Sequence, residues 1–289
     1  MKILVIGSSV VDEIHQNNIV EIKAGGVFYN VCGLLFNQHH NLEIDLITNF
    51  DEELSFYFNP IYNQVNFIKI DENRFMPNVK LYVHKDKERE EFYDGFSQSL
   101  TIPDIINYND YDGILINMIT GVDISSEILA EIRNNYKGNI YLDLHSLSRG
   151  FDQSNNRVFR TINDSDKWLN NVDVLQCSQN ELKTLYKSVD QKEIIEKVLS
   201  TNTKYLVITK GEKGSELYST NYFLNEEAVK FSTISNSVGC GDIFGAVFFS
   251  SYISTNNIEF SLREGVKISS NFTQFKNVYE FLDKGIDLV

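Results

Sequence analysis

The segment SNSVGCGDIFGAVFFSSYIS, residues 235–254, places two glycines and an aspartate at the start of a long apolar run. Gly239 and Gly241 permit backbone angles that other residues resist. The run beginning at Asp242 reads as a buried helix, and the first N–H groups of a helix have no partner within it. Together with the partial positive charge at that end, they make an anion site. A carboxylate beside a bound phosphate is repelled. Asp242 makes sense there if it takes the proton of an attacking hydroxyl as a phosphoryl group arrives. The same residues also suit a plain glycine turn with Asp in the first turn of a helix.

Such a site needs a frame. KILVIG (2–7) reads as a buried strand ending in a turn glycine, and EIDLITNF (43–50), VNFIKI (65–70), DGILINMI (112–119), NIYLDL (139–144), VDVLQC (172–177) and KYLVIT (204–209) repeat the pattern. Helical spacing is expected over 27–37, 124–135, 179–187 and 190–200, and two helices, over about 240–254 and 258–275, are expected to close the chain. Strands alternating with helices imply a mostly parallel sheet with helices on both faces. Two segments break that rhythm. Residues 10–26 and 79–94 read as β-hairpins that could form a small separate sheet. SELYS (215–219) and EAVKFST (227–233) look like late antiparallel strands. One α/β domain over 1–289 with a β appendage is the simplest organisation.

The totals narrow the function. With 26 Lys and Arg against 40 Asp and Glu, the net charge is −14. That disfavours sequence-independent nucleic-acid binding, which depends on cationic side chains meeting phosphates. Cys32, Cys177 and Cys240 form no Cys-x-x-Cys pair, so neither a disulfide framework nor a zinc site is suggested. KILVIG follows Met1 without a cleavage-site pattern, and no apolar run is long enough for a membrane span. A cytoplasmic protein with reduced thiols is expected. His39 and His40 have no carboxylate or Cys at metal-ligand spacing, and KDKEREE (85–91) reads as a solvated hairpin tip.

NSVGCGDIFGA resembles the carboxy-terminal signature of the ribokinase-like, phosphofructokinase-B (PfkB) type carbohydrate kinases, D-T-x-G-A-G-D-x-F-x-A. The resemblance makes Gly239, Cys240 and Gly241 the anion hole and Asp242 the catalytic base. Asn236 replaces the first Asp of the signature, which puts monovalent-cation dependence in doubt. AGGVFYN (24–30) is similar to the family's G-G-x-x-x-N, and GSSVVDEI (7–14) to its strand-end segment. These imply that Asp12, Gly25, Gly26 and Asn30 bind substrate. Val10 stands where ribokinases carry Asn, so ribose is not assumed. YLVITKGEKGSELY (205–218) resembles the family's T-x-G-x-x-G turn, assigning Thr209, Gly211 and Gly214 to ATP together with Asn271 of the last helix. CSQNEL (177–182) matches N-x-x-E with Ser178 for Asn, and Glu181 would act on magnesium through water. DLHSLSR (143–149) falls near the phosphates or is simply a capped strand end.

The resemblance implies a ribokinase-like α/β fold with a β lid formed by about 10–24 and 79–94. It implies transfer from ATP, with Mg2+, to a hydroxymethyl or similar alcohol of a sugar or sugar-like molecule. A nucleoside kinase and a non-catalytic metabolite-binding relative are the alternatives. The lid, with Tyr82, Phe92 and Tyr93, could pair two subunits.

Overall fold

The computed structural model describes residues 1–16, 18–37, 42–68, 75–83, 90–95, 98–153, 156–188, 190–232 and 234–284. Of the features singled out above, His39, His40 and residues 85–89 lie outside this set.

Nine strands make one sheet. Their spatial order is Phe223–Glu226, Ser215–Tyr218, Tyr205–Thr209, Val174–Ser178, Asn139–Asp143, Gly113–Asn117, Lys2–Ile6, Glu43–Ile47 and Asn66–Phe67. The first two pair antiparallel and the other seven run parallel. The parallel strands are apolar on both sides because both faces are covered. Lys2–Ile6 illustrates the period of two. Ile3 and Val5 enter the core under helices Phe28–Phe36, Cys240–Thr255 and Ile258–Phe272. Leu4 and Ile6 enter the opposite core, shared with helices Ser126–Asn135, Gln179–Leu185 and Gln191–Leu199.

The helix Cys240–Thr255 is buried continuously from Asp242 to Tyr252. An all-round apolar helix belongs in the middle of a fold, not on its surface.

A second, smaller sheet has the order Ile19–Gly26, Ser9–Gln16, Asn78–Tyr82, Glu90–Asp94. It contains both expected hairpins, joined by parallel pairing of Ser9–Gln16 with Asn78–Tyr82. Chain leaving the carboxyl end of Lys2–Ile6 enters this second sheet directly. That end lies where the strand order changes direction, the usual place for a site in an open parallel sheet.

Three expectations need correction. The last strand is Phe223–Glu226 rather than residues 227–233. After Glu226 the chain leaves the ladder, and the Val229 N–H donates to Ser270 Oγ at 3.2 Å instead. A further helix, Val278–Lys284, follows the two expected ones and is anchored by fully buried Phe281, which stacks on Phe36. A short hairpin, Arg149–Phe151 with Arg157–Phe159, also went unread.

Candidate active site

Asp242 sits in the first turn of the central helix, with Gly239 just before it. Gly239 has φ 84°. A Cβ there would overlap the ring of Tyr29, so this position needs glycine for both its dihedral angle and its packing. Thr273 O accepts from the N–H groups of Ser235 (2.8 Å) and Asn236 (3.2 Å), fixing the approach to the turn. Asn236 Oδ1 accepts from the Val238 N–H at 3.0 Å. Its amide gives a monovalent cation no charged ligand at this position.

The carboxylate of Asp242 is oriented by an amide that sequence reading missed. Asn117 Nδ2 donates to Asp242 Oδ1 at 2.7 Å and to Asn30 Oδ1 at 2.8 Å. Asn30 Nδ2 in turn donates to the Asp242 carbonyl at 2.9 Å. Asn30 is fully buried and braces Asp242 from behind, outside the lining of the small cavity beside that residue. The available signal was a polar residue ending the apolar strand GILIN (113–117), at the carboxyl edge of a parallel sheet.

Two hollows flank the glycine turn. On one side Gly239 and Asp242 line a small cavity of about 30 Å³ with Asp12, Gly26, Tyr29, Glu91, Tyr93 and His145. That is room for about one or two waters. Val10, Val79, Leu81, Ile119 and Val238 complete its wall. Gly25 does not line it, but a Cβ at Gly25 would overlap the Asp12 carboxylate, so the bare backbone gives Asp12 its place. Gly26 has φ 68°, and a Cβ there would overlap the Ser8 carbonyl. Glu91 corrects the reading of 85–91 as a solvated tip, because it is only 3% exposed and faces this cavity. Tyr93 likewise points inward, its hydroxyl donating to Ile119 O at 3.0 Å. His145 carries φ 35°, unusual for a non-glycine residue.

On the other side Cys240 lines an open cleft of about 820 Å³. Its other walls include Lys210, Gly211, Lys213, Val229, Phe231, Ile234, Ser269, Ser270 and Thr273. Lys210 is paired with Glu216 at 2.6 Å. Gly211 has φ 58° and open space where a side chain would project. Thr209, Gly214 and Asn271 do not line this cleft. Thr209 Oγ1 donates to Cys177 O at 3.5 Å, and Gly214 packs against the Glu226 carbonyl. The helix Ile258–Phe272 contributes Ser269 and Ser270 to the cleft.

Acidic groups gather beneath the turn. Burial pushes the Asp143 carboxyl well above the usual carboxylate range, and the charges of Asp242 and Glu181 push it further. Gln176 Nε2 donates to Asp143 Oδ2 at 2.6 Å and to Gly241 O at 3.1 Å, while Tyr141 donates its hydroxyl to Gln176 Oε1. Glu181 and Ser178 form a reciprocal helix cap, with the Ser178 N–H donating to Glu181 Oε2 at 2.7 Å. Among the described residues no group of three or more potential ligands is placed to hold a metal directly. The mutually repelling charges of Asp143, Asp242 and Glu181 do suit a divalent cation held through water and phosphate oxygens.

This arrangement has a stability consequence. An aspartate whose folded pKa is raised destabilises the fold as pH climbs from its ordinary value near 3.8 toward the raised one. Asp143→Asn keeps an acceptor for Gln176 and removes the charge. Its melting temperature is expected to exceed that of the wild type at neutral pH, with the gain shrinking toward pH 4. A melt series across pH checks this, and an equal loss at every pH would contradict it.

The fold is an α/β fold of the ribokinase-like type. Residues 150–284 match the model for the pfkB family carbohydrate kinases. The whole chain is similar in structure to a pyrophosphate-dependent kinase in the ribokinase family, solved with a pyrophosphate analog and myo-inositol (17% identity, 94% of each chain, TM-score 0.75). It is also similar to the ribokinase of Arabidopsis thaliana with ribose and ATP (17% identity, 97% of this chain and 98% of the other, TM-score 0.71). Ribokinase of Thermotoga maritima is a third such structure (15% identity, 99% of each chain, TM-score 0.73). No curated protein matches the chain in sequence.

Proposed function

We propose that the chain is a cytoplasmic kinase that moves the terminal phosphoryl group of ATP to an alcohol of a neutral sugar or sugar-like polyol. One observation carries this. The turn 239–242 is shared by both hollows, with Gly239 and Asp242 on the small one and Cys240 on the large one. A group passing between them must cross the helix N-terminus beside a carboxylate.

In this reading the acceptor occupies the small cavity. The carboxylates of Asp12 and Glu91 accept hydrogen bonds from its hydroxyls, and their charge disfavours an anionic acceptor. Asp242, held by Asn117, takes the proton of the attacking hydroxyl. The N–H groups of the 239–241 turn stabilise charge developing on the transferred phosphoryl oxygens. Mg2+, when bound with the donor phosphates, would neutralise their charge, and Glu181 and Asp143 are the residues nearest in character to hold its water shell. The present cavity is too small for a sugar, so the lid must move for entry and close again to exclude water.

Some neighbours use pyrophosphate and others ATP. The large cleft presents Val229, Phe231 and Ile234. An apolar wall serves a nucleoside and offers nothing to pyrophosphate, which favours ATP. Outward-facing Ile19, Val20 and Ile22, between 52% and 61% exposed, lie on the lid's outer strand. They support a homodimer through that edge. Light scattering at micromolar concentration is expected to return twice the chain mass.

The test is ADP or phosphate release from ATP or pyrophosphate, with Mg2+, across sugars, polyols, sugar acids and nucleosides. A neutral polyol that releases ADP supports the reading. Turnover only with nucleosides or sugar acids overturns the acceptor assignment, and turnover only with pyrophosphate overturns the donor.

A further inference from the structure

The acceptor cavity is closed on one side by the lid strand Glu90–Asp94, which brings Glu91 and Tyr93 into it. This strand is an edge of the lid sheet, and among the described residues it pairs only with Asn78–Tyr82. Its other support comes from the unexpected hairpin Arg149–Phe151 with Arg157–Phe159. One side chain of that hairpin, Arg157, reaches both the strand and the loops beneath it. Arg157 is 91% buried, being 9% exposed. Its Nη2 donates to Thr120 O at 3.3 Å and to Ser146 O at 3.4 Å. These carbonyls belong to the loop after Gly113–Asn117 and to the turn that carries His145. The guanidinium lies 4.7 Å from the Tyr93 ring centroid and 4.9 Å from that of Phe151.

Only a planar cation with donors on its edge can face two rings and reach two carbonyls together. The site is not tuned for stability alone. Arg157 Nε is buried without a hydrogen-bond partner among the described residues, which costs free energy. Burial also lowers its pKa, while the charges of Tyr93 and Glu91 raise it and those of Arg149 and Arg160 lower it.

We propose that Arg157 is a positioning residue for acceptor capture, clamping the lid strand that carries Glu91 and Tyr93 onto the Thr120 and Ser146 carbonyls. It touches neither donor nor acceptor. It sets where the acceptor-facing wall stands and how tightly that wall is shut. This rests on the kinase reading only for its effect on turnover, since the clamp itself exists without ligand.

The test pairs two readouts in Arg157→Ala, Arg157→Lys and Phe151→Ala. Phe151 is 43% exposed, so its truncation tests the clamp at little risk to folding. The first readout is hydrogen exchange of residues 90–94 in the ligand-free protein. Arg157→Ala is expected to speed it about tenfold or more while the helix Cys240–Thr255 stays protected. The second is steady-state kinetics. The acceptor KM is expected to rise about tenfold, with the donor KM changed less than about twofold. Lys restores the charge but cannot face two rings, and Phe151→Ala removes one ring, so both are expected to fall between. Unchanged exchange of 90–94 in Arg157→Ala and Phe151→Ala would overturn the clamp. So would an equal loss in acceptor KM, donor KM and melting temperature, which marks a merely structural arginine. Faster exchange in a protein whose wild type phosphorylates nothing would sustain the clamp and reject the kinase reading instead.

Discussion

Asp242→Asn is expected to lower turnover by about 10²- to 10⁴-fold, the range a general base supplies, which corresponds to roughly 3–5 kcal/mol of transition-state stabilisation. Donor affinity by calorimetry is expected to stay close to wild type, since Asp242 faces the small cavity and the donor cleft is lined by other groups. The substitution is nearly isosteric. Its side-chain oxygen can still accept from Asn117, so the brace through Asn30 survives. Stability is expected to hold or rise at neutral pH. The Asp242 charge is one of the causes that raise the Asp143 carboxyl, and removing it relieves that repulsion. With a raised folded pKa, the relief grows as pH climbs above the ordinary aspartate range and vanishes below it. A variant that keeps both turnover and its wild-type pH–stability curve would remove Asp242 from the role of base and from the acid cluster together.

Gly239→Ala is expected to impair activity and fold at once. A non-glycine residue in the left-handed region costs roughly 1–2 kcal/mol, and the φ of 84° places this residue there. The added methyl would also overlap the Tyr29 ring, which is 3% exposed and cannot simply move to solvent. Displacing the turn would misalign the N–H groups proposed to face the phosphoryl group, for which a loss of about 10²- to 10³-fold in kcat is expected. Gly241→Ala separates the two effects. Its Cβ would meet only Gln176 Nε2 at 3.9 Å, so the melting temperature is expected to stay near wild type. If Gly239→Ala melts and turns over like the wild type, the turn is not the anion site.

The central strands were legible because they are buried on both faces, which leaves short continuous apolar runs such as KILVI (2–6) and YLVIT (205–209). The glycine turn was legible because its residues are consecutive. Asn117 was not, since its partners lie 87 and 125 positions away and only the fold brings them together. Glu91 was misread for a different reason. In a run of charges its register decides its environment, and one strand position separates a solvated side chain from one inside the cavity. Asn271 was assigned from a resemblance, whereas the helical period turns Ser270 and Thr273 toward the cleft. The hairpin at 149–159 has strands of three residues, too short for an alternating pattern to show.

The burial of the helix Cys240–Thr255 has a consequence for how this protein can change. The proposed base and anion hole, Asp242 and the 239–241 turn, stand at the tip of the rod around which one core is packed. A substitution along that rod is felt as a loss of folding before it is felt as altered chemistry. The acceptor wall is built differently, from strands of a small second sheet. Drift in acceptor preference therefore has a separate place to occur, in Val79, Leu81, Glu91 and Tyr93, while the chemistry is inherited unchanged with the core.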